Sequence, residues 1–470
     1  MRDGQPVLLD GGDHFEGGTP NQTALLIKNA TRHDQGAYSC VLENSVGRSE
    51  SPNLAYVAIY YKPTVSLMME PTTPVSETER LNITLLCHVE EGNPATLLAV
   101  RWYLDDELLK ELPDCGAAAA SPAPVNDSST FCDIDPSKLL LESVGRSFHG
   151  NYSCEGMNDA GWGPLSSDRE LVVYYPPGPA SLTYEPSRVV KRSSVTLMCA
   201  VDDLGRPEAT AYRWLRGQHP LPEITTANLT IDPVTLETES NFTCLAYNAG
   251  GDGEGATVFI EVFAPPAFIE RLPPYHGALM NAEHISVTCR IECSPSCGVR
   301  WLKDGQPIAL GIPHAQYTVR SSILPPDPRT NDFESAISTL MWNMSVWPNA
   351  QLDRIHDNAN YTCESSSNVV GPGVKSTTFF GVEYPPENVS VSMSVLSVVE
   401  GSIPEKILCS AKGYPEPSYQ WHRENDTELV MKGNALILNY PIPRTSGGNY
   451  ICEAFNRHGN ITHKTFINVL

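Results

Sequence analysis

Five segments of the chain end alike. Gly36-Ala37-Tyr38-Ser39-Cys40, Gly150-Asn151-Tyr152-Ser153-Cys154, Ser240-Asn241-Phe242-Thr243-Cys244, Ala359-Asn360-Tyr361-Thr362-Cys363 and Gly448-Asn449-Tyr450-Ile451-Cys452 each carry an aromatic residue two places before a cysteine. A repeat constrains folding more than any single segment, because one structural unit must recur along the chain. Four or five residues after each cysteine stands Asn-x-x-Gly: Asn44 with Gly47, Asn158 with Gly161, Asn248 with Gly251, Asn368 with Gly371, and Asn456 with Gly459. Asn and Gly both tolerate positive φ, so a hairpin turn is expected at each.

Upstream of the last four endings, period-two patterns put apolar residues and a cysteine on one strand face: Ile83, Leu85, Cys87; Val195, Leu197, Cys199; Ile285, Val287, Cys289; Ile407, Cys409. A tryptophan follows each. Trp102 and Trp214 lie 15 residues beyond their cysteines, Trp301 and Trp421 lie 12 beyond theirs.

Cys, then Trp, then Tyr-x-Cys, recurring in this order over essentially the whole chain, resembles the immunoglobulin superfamily. The resemblance implies an all-β chain of tandem immunoglobulin-like β-sandwich domains in an extended rod. It also implies strand B to strand F disulfides, Cys87 with Cys154, Cys199 with Cys244, Cys289 with Cys363 and Cys409 with Cys452, each packed by the tryptophan of strand C. The Asn-x-x-Gly hairpins look like the I-set branch. The acid six residues before the last cysteine of a repeat, Asp34 or Asp357, is Phe148, Thr238 or Ser446 elsewhere. Phe242 replaces the aromatic hydroxyl donor, so the third repeat is expected to be weaker there.

Junctions are expected at Tyr61-Lys62-Pro63, Tyr175-Pro176-Pro177, Ala264-Pro265-Pro266 and Tyr384-Pro385-Pro386. They give domains over residues 62–175, 176–263, 264–383 and 384–470, joined end to end by two- or three-residue hinges in which proline fixes φ. Arg2-Asp3-Gly4-Gln5-Pro6-Val7 matches Lys303-Asp304-Gly305-Gln306-Pro307-Ile308. Residues 1–61 therefore read as a truncated domain, strands C to G only, in which Cys40 has no partner.

Four cysteines remain. Cys115 and Cys132 flank a low-complexity stretch of Gly, Ala, Ser and Pro, and a bridge closing such a loop stabilises by about 3 kcal/mol in the chain-entropy model. Cys293 and Cys297 flank Ser294-Pro295-Ser296, which can turn the chain back for a local bridge. A redox or metal site is the sharper alternative. No CxxC or HExxH and no histidine at ligand spacing supports it.

Twelve Asn-x-Ser/Thr sequons occur, at Asn21, Asn29, Asn82, Asn126, Asn151, Asn228, Asn241, Asn343, Asn360, Asn388, Asn425 and Asn460. Together with the cysteines they indicate a glycosylated, oxidising compartment, the extracellular side of the plasma membrane or a secreted form. Neither an apolar signal core nor a stretch of roughly 18 apolar residues is present, so the chain reads as a fragment. Along strand F, Asn151, Asn241 and Asn360 alternate with inward residues. Glycans are expected to shield that face in repeats 2–4 and to leave it bare in repeat 5.

With 32 Lys+Arg against 55 Asp+Glu, the net charge of −23 is spread along the chain and disfavours nucleic acid or an anionic membrane as partner. No GxSxG, P-loop or convergent acid-base set is present. Catalysis, cofactors and a small-molecule substrate are therefore not expected, and Asp105 with Asp106 reads as a solvated loop. Surface adhesion or recognition is the leading expectation, with a protein partner that is the chain itself or another immunoglobulin-superfamily surface protein. General layout looks like insect-type cell-adhesion molecules of the echinoid and nephrin kind. The ectodomain of a signalling receptor, kinase or phosphatase, is the alternative. A muscle-type array is disfavoured by the sequons and surplus cysteines.

Overall fold

The computed structural model describes residues 1–9, 13–114, 134–426 and 428–470. Among them there is no α-helix, only strands and three-residue 3₁₀ turns. The chain divides into two compact units: residues 1–183, 198–228 and 242–258, and residues 184–197, 229–241 and 259–470. The third repeat contributes to both.

In the first unit, repeat 2 packs one sheet of Glu107–Leu112, Ala99–Leu104, Gly150–Asn158 and Gly161–Trp162 over another of Lys138–Leu141, Ile83–Asn93 and Tyr61–Glu70. The alternation seen in the sequence becomes the core: Ile83, Leu85 and Cys87 point inward with Trp102, Tyr152 and Cys154, while Thr84 and Leu86 between them are only half-buried. In the second unit, Cys289, Trp301, Tyr361 and Cys363 centre one such core, and Cys409, Trp421, Tyr450 and Cys452 centre another. Residues 1–61 form three small two-stranded sheets, and among their described residues only Asp34 and Tyr38 are buried.

Each strand tryptophan stands directly opposite the cysteine of the neighbouring strand: Trp102 opposite Cys154, Trp214 opposite Cys244, Trp301 opposite Cys363 and Trp421 opposite Cys452. The four rings are at most 2% exposed. Such burial removes on the order of 150–250 Å² of aromatic surface per ring from water and makes each ring a major part of its core.

The proline junctions differ from the hinges expected. Pro265 and Pro266 lie inside the strand Val262–Glu270, and Pro385 and Pro386 lie inside the 17-residue strand Lys375–Val391. Both pairs fall where the strand register slips, between Ala264 and Ala267 and between Tyr384 and Glu387. At a bulge the missing N–H costs no ladder hydrogen bond, so the strand runs through the prolines.

Candidate functional site

The recurrent Asn of Asn-x-x-Gly does more than turn the chain. None of these asparagines has positive φ; of the glycines, Gly161 and Gly251 do. The side-chain amides instead reach across each joint. Asn158 Nδ2 donates to the carbonyls of Tyr61 (2.9 Å) and Pro94 (2.8 Å), and Asn248 to those of Tyr175 (2.9 Å) and Pro207 (2.7 Å). Asn368 bonds Ala264 (2.8 Å) and Pro295 (3.3 Å), and Asn456 bonds Tyr384 and Pro415, both at 3.0 Å. Each Oδ1 meanwhile accepts backbone N–H groups of its own turn. The carbonyl preceding each junction is thus satisfied by one residue type at one position, which explains the repeat.

Ion pairs add to the joints. In the first unit Arg146 pairs with Glu77 at 2.8 Å and Asp203 at 3.5 Å, and its guanidinium lies 4.1 Å above the Tyr175 ring. The Arg146 hydrogen bond holds the Glu77 carboxyl below its ordinary value. In the second unit Lys191 meets both carboxylate oxygens of Glu292, at 2.8 and 2.9 Å, with both side chains under 10% exposed. Glu292 also accepts the Phe333 N–H at 3.1 Å, and Leu236 N donates to Asn331 Oδ1 at 2.7 Å. A buried pair of this kind fixes geometry more than it adds net stability.

Glu383, 1% exposed, is the hub of the next joint. It accepts from Tyr275 Oη at 2.5 Å, from Arg457 Nε at 2.9 Å and from the His458 ring. Burial pushes this carboxyl up, but Tyr275, Arg457 and His458 pull harder and hold it below the ordinary glutamate range. Burial, then Glu383, raises the Tyr275 phenol. Burial lowers His276, which stacks on Phe380. Arg354 pairs with Glu387 at 2.8 Å and covers the Tyr384 ring at 4.1 Å.

The cysteines are placed as follows. Cα atoms lie 6.1 Å apart in Cys87–Cys154, 6.2 Å in Cys199–Cys244, 6.6 Å in Cys289–Cys363, 6.5 Å in Cys409–Cys452 and 6.0 Å in Cys293–Cys297, all five disulfide-bonded. Cys40 is an exposed free thiol. Cys115 and Cys132, with Asn126 between them, lie outside the described residues.

Of the other sequon asparagines, Asn21, Asn29, Asn82, Asn151, Asn228, Asn241, Asn360, Asn388, Asn425 and Asn460 are exposed. Asn343 is half-buried, its Nδ2 donating to the Ala315 carbonyl at 3.4 Å. Repeat 5 departs from the bare face expected. Asn460 stands directly opposite Phe455 and bonds Glu453, so it shares the outward face of that sheet. The signal was legible: Asn460 lies as far past the Asn456 turn as Phe455 lies before it.

Asp105 is also more than a solvated loop. Its Oδ1 accepts the Asn151 N–H at 2.9 Å, as Asp304 does for Asn360 at 2.9 Å and Asp3 for Ala37 at 2.8 Å. Trp162 is half-buried with the Arg101 guanidinium 4.0 Å above its ring. Tyr38, Tyr152 and Tyr450 donate to the carbonyls of Asp34, Phe148 and Ser446, four residues back. Tyr361 instead shares a hydrogen bond with the Tyr317 hydroxyl at 2.8 Å. Among the described residues no group of three His, Cys, Asp or Glu side chains is arranged to hold a metal ion.

Residues 179–248 match the family profile described as immunoglobulin domain. The mouse B-cell receptor CD22 is 28% identical over 239 residues, covering 50% of this chain and 25% of that protein. Mouse hemicentin-1 is 24% identical over 486 residues (98% of this chain, 7% of that protein), and human neural cell adhesion molecule 1 is 24% identical over 471 residues (93% and 49%). The chain therefore spans less than half the length of each of these relatives. One cysteine–tryptophan–cysteine core, one strand pairing and one aromatic position before the last cysteine recur in the last four repeats: the fold is a tandem series of immunoglobulin-like β-sandwich domains.

Proposed function

We propose that this chain is the extracellular portion of a cell-surface adhesion or recognition protein that holds a protein partner through its immunoglobulin domains, with no catalytic role. The observation that carries this is the pattern of joints. Side-chain clamps from Asn158, Asn248, Asn368 and Asn456 tie the end turn of each domain to the strand that enters it, so each joint is an ordered part of its domain. Display of several weak surfaces on one chain raises avidity without any single tight site.

Ten exposed sequon asparagines support an extracellular or secreted setting, and the name of one relative, neural cell adhesion molecule 1, points the same way. Among the described residues no helix is long and apolar enough to cross a membrane. Domain limits of 1–61, 62–175, 176–263, 264–383 and 384–470 fit the positions of the joints. The partner in this reading is a protein of the same superfamily, a second copy of this chain or another surface protein.

The test is adhesion itself. Beads coated with the glycosylated chain should cluster with one another or be captured by cell monolayers. Beads that do neither, at a coating density where a known adhesion ectodomain clusters, would overturn the proposal.

A further inference from the structure

Sequons are not spread evenly over the sheet faces. Repeats 2, 3 and 5 carry exposed sequons on both sides, Asn82 and Asn151, Asn228 and Asn241, Asn388 and Asn460. In repeat 4, Asn360 lies on the sheet of Ala359–Ser365, while the only sequon beside the opposite sheet is Asn343, half-buried and turned toward Ala315.

That opposite sheet ends in an open edge. The strand Tyr317–Leu324 pairs on one side with Ser335–Trp342 through eight consecutive residues without a register shift, and no strand among the described residues pairs with its other side. The corresponding sheet ends in a strand of only four residues, Lys138–Leu141, in repeat 2 and of two, Ala435–Leu436, in repeat 5. Proteins blunt edges with short strands, charges, prolines or bulges, because unpaired backbone N–H and C=O groups template another strand. This edge has none of those guards apart from Arg320. Residues 320–323 are all exposed, and Ile323 is 66% exposed.

We infer that the strand Tyr317–Leu324 is a pairing edge for a second copy of this chain, added antiparallel about a two-fold axis at Ser321. Charge favours a copy at this place. The chain carries −23, yet residues 305–326 contain no carboxylate, so the repulsion between two copies is low here. Register favours it too. Residues directly opposite in an antiparallel pair share a face, so an axis at Ser321 sets Arg320 against Ser322, not against another Arg320, and Val319 against Ile323. The exposed Ile323 is thereby covered. An edge of seven residues buries less than the roughly 1,200 Å² of a standard stable interface, so the dimer is weak and reversible.

This goes beyond the recognition proposal, since the chain could pair in solution without joining cells, and the two readings fail separately. The chain, secreted with its glycans, is run in sedimentation velocity between about 1 and 200 µM, the range in which so small an interface is expected to act. A concentration-dependent dimer is expected. Ile323→Lys, at an exposed position and so expected to leave thermal melting unchanged, should weaken it at least roughly tenfold. In a Cys40→Ser background, Ser321→Cys should form a covalent dimer and Thr318→Cys should not, because Thr318 faces Leu324 of the other copy in this register. A monomer throughout the range, a dimer unaffected by Ile323→Lys, or equal cross-linking at both cysteines overturns the inference.

Discussion

Lys191 and Glu292 meet through both carboxylate oxygens, at 2.8 and 2.9 Å, 101 residues apart in sequence, with both side chains nearly excluded from water. The Lys191 ammonium also stands 5.2 Å over the Phe333 ring, and the Phe333 N–H donates to the same carboxylate. Both carboxylate oxygens of Glu292 are engaged, one by Lys191 alone and the other by Lys191 and the Phe333 N–H.

Removing one partner should therefore cost far more than the pair contributes. Lys191→Met leaves Glu292 charged and buried, and is expected to destabilise by about 3–5 kcal/mol. Adding Glu292→Leu should restore most of the loss. Chemical denaturation of the two singles and the double checks this, and a double mutant as unstable as Lys191→Met would show that lost packing, not the stranded charge, is the cause.

The asparagine clamps should act as caps on the joints. Asn456→Ala removes the donors to the Tyr384 and Pro415 carbonyls and the acceptor of the His458 N–H. A loss of about 1–3 kcal/mol is expected from the carbonyls left without a donor. Calorimetry should show the last domain melting earlier, with faster proteolysis near Tyr384. Asn456→Asp, which keeps the acceptor but no donor, should not rescue it.

Acid should loosen the Glu383 hub. Its folded carboxyl titrates below the ordinary glutamate value of 4.5, so its contribution is complete above that pH and is lost as pH falls from there through the folded value. The burial-lowered His276 acts in the same direction at higher pH. It stays neutral when folded and gains its proton when unfolded, so stability begins to fall below its ordinary value of 6.5. Melting temperature of the wild type minus that of Glu383→Gln should be constant above about pH 5 and narrow below it. A difference independent of pH would remove Glu383 from the account.

Glycan occupancy should follow the seats of the asparagines. Glycopeptide mass spectrometry is expected to find Asn151, Asn241, Asn360 and Asn460 occupied, and Asn343 markedly less so, because its amide is turned toward Ala315. Full occupancy of Asn343 would show that this seat forms only after the sugar is transferred.

The aromatic hydroxyl near each repeat's end should be a modest, local term. Tyr152→Phe loses the bond to the Phe148 carbonyl at 2.9 Å and is expected to cost about 0.5–1.5 kcal/mol by denaturant titration. Burial, then the nearby Asp105 charge, raises the Tyr152 phenol to about 12, so its spectrum should show no phenolate at pH 10.

The sequence by itself determined the fold. Period-two strands place Ile83, Leu85 and Cys87 on one face whatever lies across from them, and only a second sheet can bury that face. The repeated cysteine, tryptophan and aromatic positions made the sandwich legible, because each depends on local spacing. Long-range geometry was not legible in that way. Which carbonyls Asn158 and Asn456 would clamp, that prolines 385 and 386 would sit in a bulge of an unbroken strand, and that Lys191 would find Glu292 were decided only by the tertiary structure. The physical reason is that a side chain's hydrogen bonds across a joint depend on how separate strands meet, and no periodicity along one strand records its neighbour.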